Sequence, residues 1–159
     1  MNQELLKELF DYKDGQLYWK KSTNTKIVVG SLAGSLDCKG YKSVQVNGKT
    51  WKLHRAIFLM HYGYLPSQID HINGIKDDNR IENLREATTS NNCLNQKLRK
   101  TNTSKIKNVS WHKKHQKWYV QLQVFGKPKH IGCFGSLELA ELVAIEARNK
   151  YHKEFANHG

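Results

Sequence analysis

The pattern of apolar and polar positions in the first third of the chain predicts one short helix and several strands. Helical spacing joins a cluster of apolar residues near the start, namely Leu5, Leu6, Leu9 and Phe10. Residues 41–46 alternate between polar and apolar, as do residues 49–53, and Asn47-Gly48 lies between them. Because Asn-Gly supplies the positive φ angles of a two-residue hairpin loop, this segment is predicted to be a β-hairpin. Residues 1–53 are therefore expected to form a small β-rich module.

The middle of the chain is predicted to fold as a helix, a strand, a polar loop, a short strand and a second helix. The segments that carry this pattern are a helix at 54–62 ended by Gly63, a strand ending at Asp70-His71, a turn at Asn73-Gly74 and a short strand at 81–84. Either Thr88 or Thr89 is expected to cap the second helix, which would run to about Leu98.

The last third of the chain is predicted to contain three antiparallel strands followed by one helix. Residues 99–107 are polar and basic without hydrophobic periodicity, which is typical of a linker. The strands are predicted at 109–112, 118–124 and 129–134, with turns at 114–117 and 125–128. Ser136 is expected to cap a helix from Leu137 to about His152. The fold class of the whole chain is thus expected to be α+β.

The net charge of the chain indicates which classes of molecule it binds. The 159 residues carry a formal net charge of +12, which implies a polyanion, nucleic acid first and an anionic membrane second. No apolar run approaches the roughly 18 residues of a membrane span, and the start does not resemble a signal peptide, so a soluble, cytoplasmic protein is expected. From Ala87 to Leu137 there are ten Lys or Arg and no Asp or Glu, as expected for a surface that faces a phosphate backbone.

The cysteines give no sign of a disulfide framework or a zinc site. There are three, Cys38, Cys93 and Cys133, and no two of them form a Cys-x-x-Cys pair. They are expected to be small buried residues.

Asp70 and His71 are the candidate catalytic residues. Hydrolysis of a phosphodiester needs a general base for water and a cation beside the leaving oxygen. An imidazole titrates near neutral pH and suits the first role, so His71 is the candidate base. Asp70 supplies a charged oxygen and an Asn side chain a neutral one, and magnesium accepts both. Since neighbours on a strand point to opposite faces, Asp70 and His71 can share a site only if the strand ends or twists there.

The stretch from Ile69 to Asn92 resembles the HNH motif, the ββα-metal fold of phage and group I intron homing endonucleases. The resemblance is carried by Asp70-His71, by the run Asn-Arg-Ile-Glu-Asn-Leu-Arg at 79–85 and by Asn92. It implies that His71 is the general base, that Asn83 braces the loop and that Asn92 stands in place of the motif's final His. Asp70 and Asn92 would then hold one divalent ion, Mg²⁺ or alternatively Mn²⁺, and no zinc is expected.

Residues beside the motif leave two assignments open. The final motif position is assigned to Asn92, with its neighbour Asn91 as the alternative. The pair His54-Arg55 is typical of the resembled family just before the motif. Packing or capping is favoured over metal binding for His54, and Arg55 is a candidate phosphate contact.

Residues 108–159 resemble the DNA-binding domain of the plant Apetala and ethylene-response-factor type, which phage HNH proteins also carry. The resemblance rests on Asn108-Val109-Ser110-Trp111, Lys117-Trp118, Gly126-Lys127, Ile131-Gly132-Cys133-Phe134, Leu139-Ala140 and Phe155-Ala156-Asn157. It implies a sheet whose outer face enters the major groove of double-stranded DNA. The DNA contacts expected on the outer face of the sheet are Trp111, His112, Lys114, Trp118, Gln121, Gln123 and Lys129. Those expected from the core and the linker are Arg55, Arg85, Lys97, Arg99, Lys100 and Lys105.

The chain is therefore expected to be a metal-dependent endonuclease of double-stranded DNA. Its expected parts are the module 1–53, the nuclease core 54–98, the linker 99–107 and the DNA-binding domain 108–159. One active site per chain favours a nick by a monomer over a double-strand break by a dimer. Two alternatives remain, a DNA-binding regulator with a vestigial nuclease core and an RNA-binding accessory protein. The core retains Asp70, His71 and Asn92, which counts against the first.

Overall fold

The computed structural model describes residues 2–23, 25–95, 98 and 101–158, and the chain divides into two compact units, Met1–Ala87 and Thr88–Gly159. The described residues form four α-helices and several small antiparallel sheets, which confirms the predicted α+β class. Within this part of the chain, none of the helices has the length and apolar character that crossing a bilayer requires.

The first unit consists of two α-helices and small antiparallel sheets. Its elements are α1 (Gln3–Leu9), β1 (Phe10–Lys13), β2 (Gln16–Trp19), β3 (Leu32–Ala33), β4 (Ser35–Leu36), β5 (Lys42–Val46), β6 (Lys49–Lys52), α2 (Leu53–Tyr62), β7 (Gln68–His71), a 3₁₀ turn (Ile81–Asn83) and β8 (Leu84–Ala87). The sheets are β1-β2-β3, β4-β5-β6 and the pair β7-β8. Asn47 and Gly48 have positive φ angles of 50° and 74° between β5 and β6, which confirms the predicted hairpin loop.

One hydrophobic core fills the first unit. Phe10 and Leu17, near the start of the chain, belong to the same buried cluster as Ile57 of α2 and Leu84 of β8. Burial of each such side chain contributes about 1.5–3 kcal/mol. The β-rich module and the first part of the segment that resembles the HNH motif therefore depend on the same packing.

The turn between β1 and β2 lies directly against the loop that contains Asn79 and Arg80. A Cβ added at Gly15, which has a φ of +77°, would lie 2.6 Å from the backbone nitrogen of Arg80. Next to this contact, the hydroxyl of Tyr12 accepts a hydrogen bond from the Ile81 N–H at 3.0 Å. Only glycine combines this φ with so close an approach of two backbones, so the turn positions the loop.

The second unit is a three-stranded antiparallel sheet packed on one long helix, preceded by a short helix. Its elements are α3 (Thr89–Leu94), β9 (Val109–His112), β10 (Lys117–Val124), β11 (Lys127–Phe134), α4 (Leu137–His152) and a 3₁₀ turn (Lys153–Phe155), with strand order β11-β10-β9. Ala140 and Ala144 of α4 are fully buried in one cluster with Val120 and Leu122 of β10. Ser136 caps α4 as predicted, because its side chain accepts a hydrogen bond from the Leu139 N–H.

Four expectations about local structure are wrong. The short strand predicted at 81–84 begins only at Leu84 and runs to Ala87, because residues 81–83 form the 3₁₀ turn. α3 ends at Leu94, with Asn95 as its C-cap, rather than near Leu98. β11 begins at Lys127, two residues early, because its first residues already pair with the end of β10. The cysteines are exposed rather than buried. Cys38 lies on a turn, Cys93 lies on a helix without buried residues, and Cys133 occupies an exposed strand position.

Candidate active site

Asp70 and His71 occupy the last two positions of β7, where the ladder with β8 ends. Asp70 pairs with Arg85 and His71 with Leu84. Both side chains are buried, at 5% and 6% exposure. Because strand neighbours point to opposite faces, the two side chains have different surroundings and different partners.

The carboxylate of Asp70 forms an ion pair with a guanidinium. Arg85 donates from Nε at 2.9 Å and from Nη2 at 2.7 Å, both to Oδ2 of Asp70. The side chains are only 15% and 6% exposed, so the pair is largely desolvated and charge-assisted. The sequence suggested Arg85 as a DNA contact, and the structure gives it this carboxylate as a partner within the sheet.

His71 is oriented by Asn79, a residue to which the sequence analysis assigned no role. Its Nε2 lies 3.0 Å from Oδ1 of Asn79, a side chain that is 1% exposed. The Nδ2 of Asn79 donates to the carbonyl of Asp77 at 3.3 Å, which fixes the amide so that its oxygen faces the imidazole. An amide oxygen only accepts, so this network assigns the proton of neutral His71 to Nε2 and the basic lone pair to Nδ1. In the sequence, Asn79 ends a polar run, Asp77-Asp78-Asn79, and nothing in that run indicated that its side chain would contact His71.

A second imidazole packs against His71. The ring centroids of His54 and His71 are 5.1 Å apart with an interplanar angle of 75°, and Tyr41 lies 5.5 Å from His54. Burial above all, and then the charge that His71 can carry, lowers the pKa of His54 to about 3. The buried Nδ1 of His54 has no hydrogen-bond partner among the described residues. His54 is therefore a neutral packing partner for His71 near neutral pH.

Asn83 ties together the loop that follows His71. Its Nδ2 donates to Oδ1 of Asn73 at 3.0 Å and to the carbonyl of Asp78 at 2.7 Å, and its Oδ1 accepts the Asn73 N–H at 3.0 Å. The carboxylate of Asp78 accepts two further hydrogen bonds from the guanidinium of Arg80. These contacts hold the pKa of the Asp78 carboxyl well below its usual range. The loop is thus closed by side-chain hydrogen bonds at both ends.

Asn92, the third residue of the predicted site, belongs to the second unit. It lies on α3, where Thr88 is the N-cap and accepts a hydrogen bond from the Asn91 N–H at 3.1 Å. The Asn92 N–H donates to the Thr88 carbonyl at 2.9 Å. Both Asn91 and Asn92 are half-buried on this helix, so Asn91 remains the alternative to Asn92 for the final motif position.

The donor atoms of the predicted metal ligands can be tested against the ion that the motif implies. Within the described residues, no group of three or more His, Cys, Asp or Glu side chains forms a metal site. The implied ligand set is smaller, one carboxylate from Asp70 and one carboxamide from Asn92. Both are hard oxygen donors, and magnesium commonly takes one or two such protein ligands with phosphate and water around it. The donor chemistry of these residues therefore fits magnesium.

Three of the residues expected on the outer face of the C-terminal sheet lie on the side of α4 instead. Trp118 is part of the packing around the core of the second unit, and its cross-strand partner Trp111 lies against it at 4.9 Å between ring centroids. The Nζ of Lys129 is 4.6 Å from the ring centroid of Tyr151 on α4. Their strand positions share a face with buried apolar residues such as Val120, which explains the difference.

The outer face of the sheet has its own set of side chains. Tyr119 and His130 stack with ring centroids 4.2 Å apart, and His112 lies 5.9 Å from Tyr119. Gln121 and Gln123 are exposed on the same face. Tyr119 and His130 were missed, although their strand alternation with Trp118, Val120 and Leu122 could have assigned them to this face.

The remaining predicted DNA contacts lie on turns, on the helix α2 or outside the described residues. Lys114 and Lys105 are exposed, and Arg55 is half-buried on α2. Lys97, Arg99 and Lys100 lie outside the described residues.

The chain is similar to known proteins over the segment that contains these side chains. The family described as HNH endonuclease matches residues 52–94. Protein 3.8 of Escherichia phage T7 is 37% identical over 122 residues, a match that covers 74% of this chain and 96% of the relative. No solved structure matches the chain.

Proposed function

This chain belongs to the HNH endonuclease family, and on that premise we propose that it is a metal-dependent endonuclease of double-stranded DNA. The observation that carries the proposal is the buried His71, whose Nε2 lies 3.0 Å from Oδ1 of Asn79, a contact that assigns the ring proton to Nε2. In this role Nδ1 accepts a proton from the attacking water. General bases of this kind contribute about 10²–10⁴ in rate.

The metal ligands in this proposal are Asp70 and Asn92. When bound, a magnesium ion, or manganese as the alternative, stabilises negative charge on the scissile phosphate and on the leaving 3′ oxygen. Arg85 fixes the carboxylate of Asp70 through two hydrogen bonds to a single oxygen. Asn83 holds the loop after His71 in one conformation. These residues position the reacting groups and do not take part in proton transfer.

The second unit supplies DNA affinity in this proposal. The span from Ala87 to Leu137, with ten basic and no acidic residues, includes all three strands of its sheet. Such a charge distribution attracts duplex DNA with a strong dependence on salt. With one site per chain, the expected product is a nick made by a monomer.

Plasmid nicking with a matched histidine control tests the proposal. We expect His71→Ala to lower the nicking rate of supercoiled plasmid at least about 100-fold while duplex affinity stays within about twofold. His61→Ala removes an exposed imidazole and should cut like the wild type. EDTA should stop the reaction of the wild type. If His71→Ala cuts at the wild-type rate in metal-controlled buffer, the proposal is wrong.

A second candidate function is DNA binding without cleavage. The observation that favours it is the Asp70–Arg85 pair, because a carboxylate neutralised by a guanidinium can serve structure alone. In that case the wild type would bind duplex DNA and leave plasmid intact with either magnesium or manganese. The same assay therefore separates the two functions.

A further inference from the structure

The helix that carries Asn92 has little stability of its own. α3 is six residues long and has no buried residue. Isolated helices shorter than about 12 residues are marginal in water, and the last four carbonyls of any helix lack partners within it. The position of α3 therefore depends on contacts that its ends make with other parts of the chain.

Two side chains from the C-terminal part of the second unit hold the end of α3. Lys107 donates from Nζ to the Leu94 carbonyl at 2.9 Å. Asn157 donates from Nδ2 to the Asn95 carbonyl at 2.7 Å and approaches Oδ1 of Asn95 at 3.2 Å. Asn95 is only 6% exposed, so these bonds are sheltered from water. Together they satisfy two carbonyls at the C-terminal end of α3.

The two anchors are themselves fixed by the core of the second unit. Arg148 of α4 is 1% exposed and donates from Nη1 to the carbonyl of Lys107 at 2.6 Å. Asn157 follows a 3₁₀ turn whose Phe155 is 7% exposed. The anchors thus connect α3 to the core of the second unit.

We infer that Lys107 and Asn157 are positioning residues for Asn92, so the DNA-binding unit is also part of the nuclease machinery. The inference rests on the proposed function, because it takes Asn92 as a metal ligand. Asn92 lies two residues before Leu94 on the same helical turn, so the anchors at the end of α3 determine the orientation of Asn92. A displacement of about 1 Å at a catalytic group can lower a rate about 100-fold.

The test uses the full chain with variants that remove the anchoring donors. Lys107→Met and Asn157→Ala each delete one donor, Lys107→Arg retains a cationic donor, and Asn149→Ala on the exposed side of α4 is the control. Two readouts are needed, hydrogen exchange at the amides of Asn92 and Asn95, and cleavage at saturating DNA as a function of magnesium concentration.

The inference predicts a specific combination of results. Loss of one hydrogen bond, about 1 kcal/mol, should speed exchange at the α3 amides about fivefold, with no change in β10. The saturated cleavage rate should fall at least about tenfold and half-maximal magnesium should rise in both variants. Duplex affinity should stay unchanged in Asn157→Ala, which removes no charge. Lys107→Arg should recover most of the rate, and Asn149→Ala should match the wild type.

Other outcomes separate failure of this inference from failure of the proposed function. If the wild type cuts and both Lys107→Met and Asn157→Ala keep its rate and magnesium dependence, the inference is overturned. Unchanged exchange in α3 overturns it as well, whether or not the chain cuts. If α3 exchange rises but the wild type never cuts, the anchors hold the helix and the assignment of Asn92 as a ligand fails.

Discussion

The buried pair between Arg85 and Asp70 should contribute far more to stability than an exposed pair of the same length. Arg85→Met keeps much of the side-chain stem and removes the guanidinium, so the buried carboxylate loses both bonds to that group. Removing one partner of a buried pair costs about 3–5 kcal/mol, because the remaining charge stays desolvated. Against a total of about 5–15 kcal/mol, this is a large fraction of the free energy of unfolding.

The pair between Lys21 and Glu8 is the matched control. Its N–O distance is 2.7 Å, the same as between Arg85 and Asp70, but its side chains are 62% and 55% exposed. Water and salt screen an exposed pair, so Lys21→Met should change the free energy of unfolding very little. Because the two ion pairs have the same N–O distance, the difference in stability between the two Met variants measures the effect of burial.

Urea unfolding at neutral pH, followed by circular dichroism, measures the difference. The double variant Asp70→Asn/Arg85→Met removes both charges and should regain much of the stability lost by Arg85→Met alone. The reasoning is refuted if Arg85→Met is no less stable than Lys21→Met, or if the double variant is no more stable than the single one.

Three further predictions concern the surroundings of the candidate site. His54→Phe should make the free energy of unfolding less sensitive to acid. In the wild type, His54 has a pKa of about 3 when folded, so the unfolded chain takes up a proton first as the pH falls. The wild type should therefore lose up to about 4 kcal/mol of its free energy of unfolding between about pH 6.5 and pH 3. Urea unfolding at a series of pH values tests this, and parallel pH profiles would contradict it. Gly15→Ala should lower the melting temperature more than Gly48→Ala does. Both glycines have a positive φ, but only a Cβ at Gly15 would meet backbone, at 2.6 Å from the nitrogen of Arg80. Equal melting temperatures would disprove the contact. Asn83→Ala should lower the saturated cleavage rate more than DNA affinity, since it releases three loop hydrogen bonds, and a pure loss of affinity would argue otherwise.

Local signals in the sequence were sufficient for most of the elements. The Asn47-Gly48 loop, the cap at Ser136 and the stop at Gly63 each depend on the φ angles or side-chain oxygen of one or two residues. Such requirements are visible in sequence because they involve neighbours along the chain.

The partners of the candidate catalytic residues could not be predicted in the same way. His54 contacts His71 of β7 from the helix α2, and Arg85 reaches Asp70 across a strand pair. Periodicity tells which residues share a face and not which side chains meet across elements. The expected position of Trp118 had another origin: it followed from the resemblance to the Apetala and ethylene-response-factor domain, whereas strand alternation places Trp118 on the same face as buried Val120.

The boundary between the two compact units falls inside the segment that matches the HNH endonuclease family. The match covers residues 52–94, and the units divide after Ala87, so Asp70 and His71 belong to the first and Asn92 to the second. The second unit therefore cannot be removed without removing a predicted ligand. Loss of cleavage after truncation would not show that DNA binding alone was lost. Point variants in the full chain, which leave every predicted ligand in place, are for this reason the experiments that can separate affinity from catalysis.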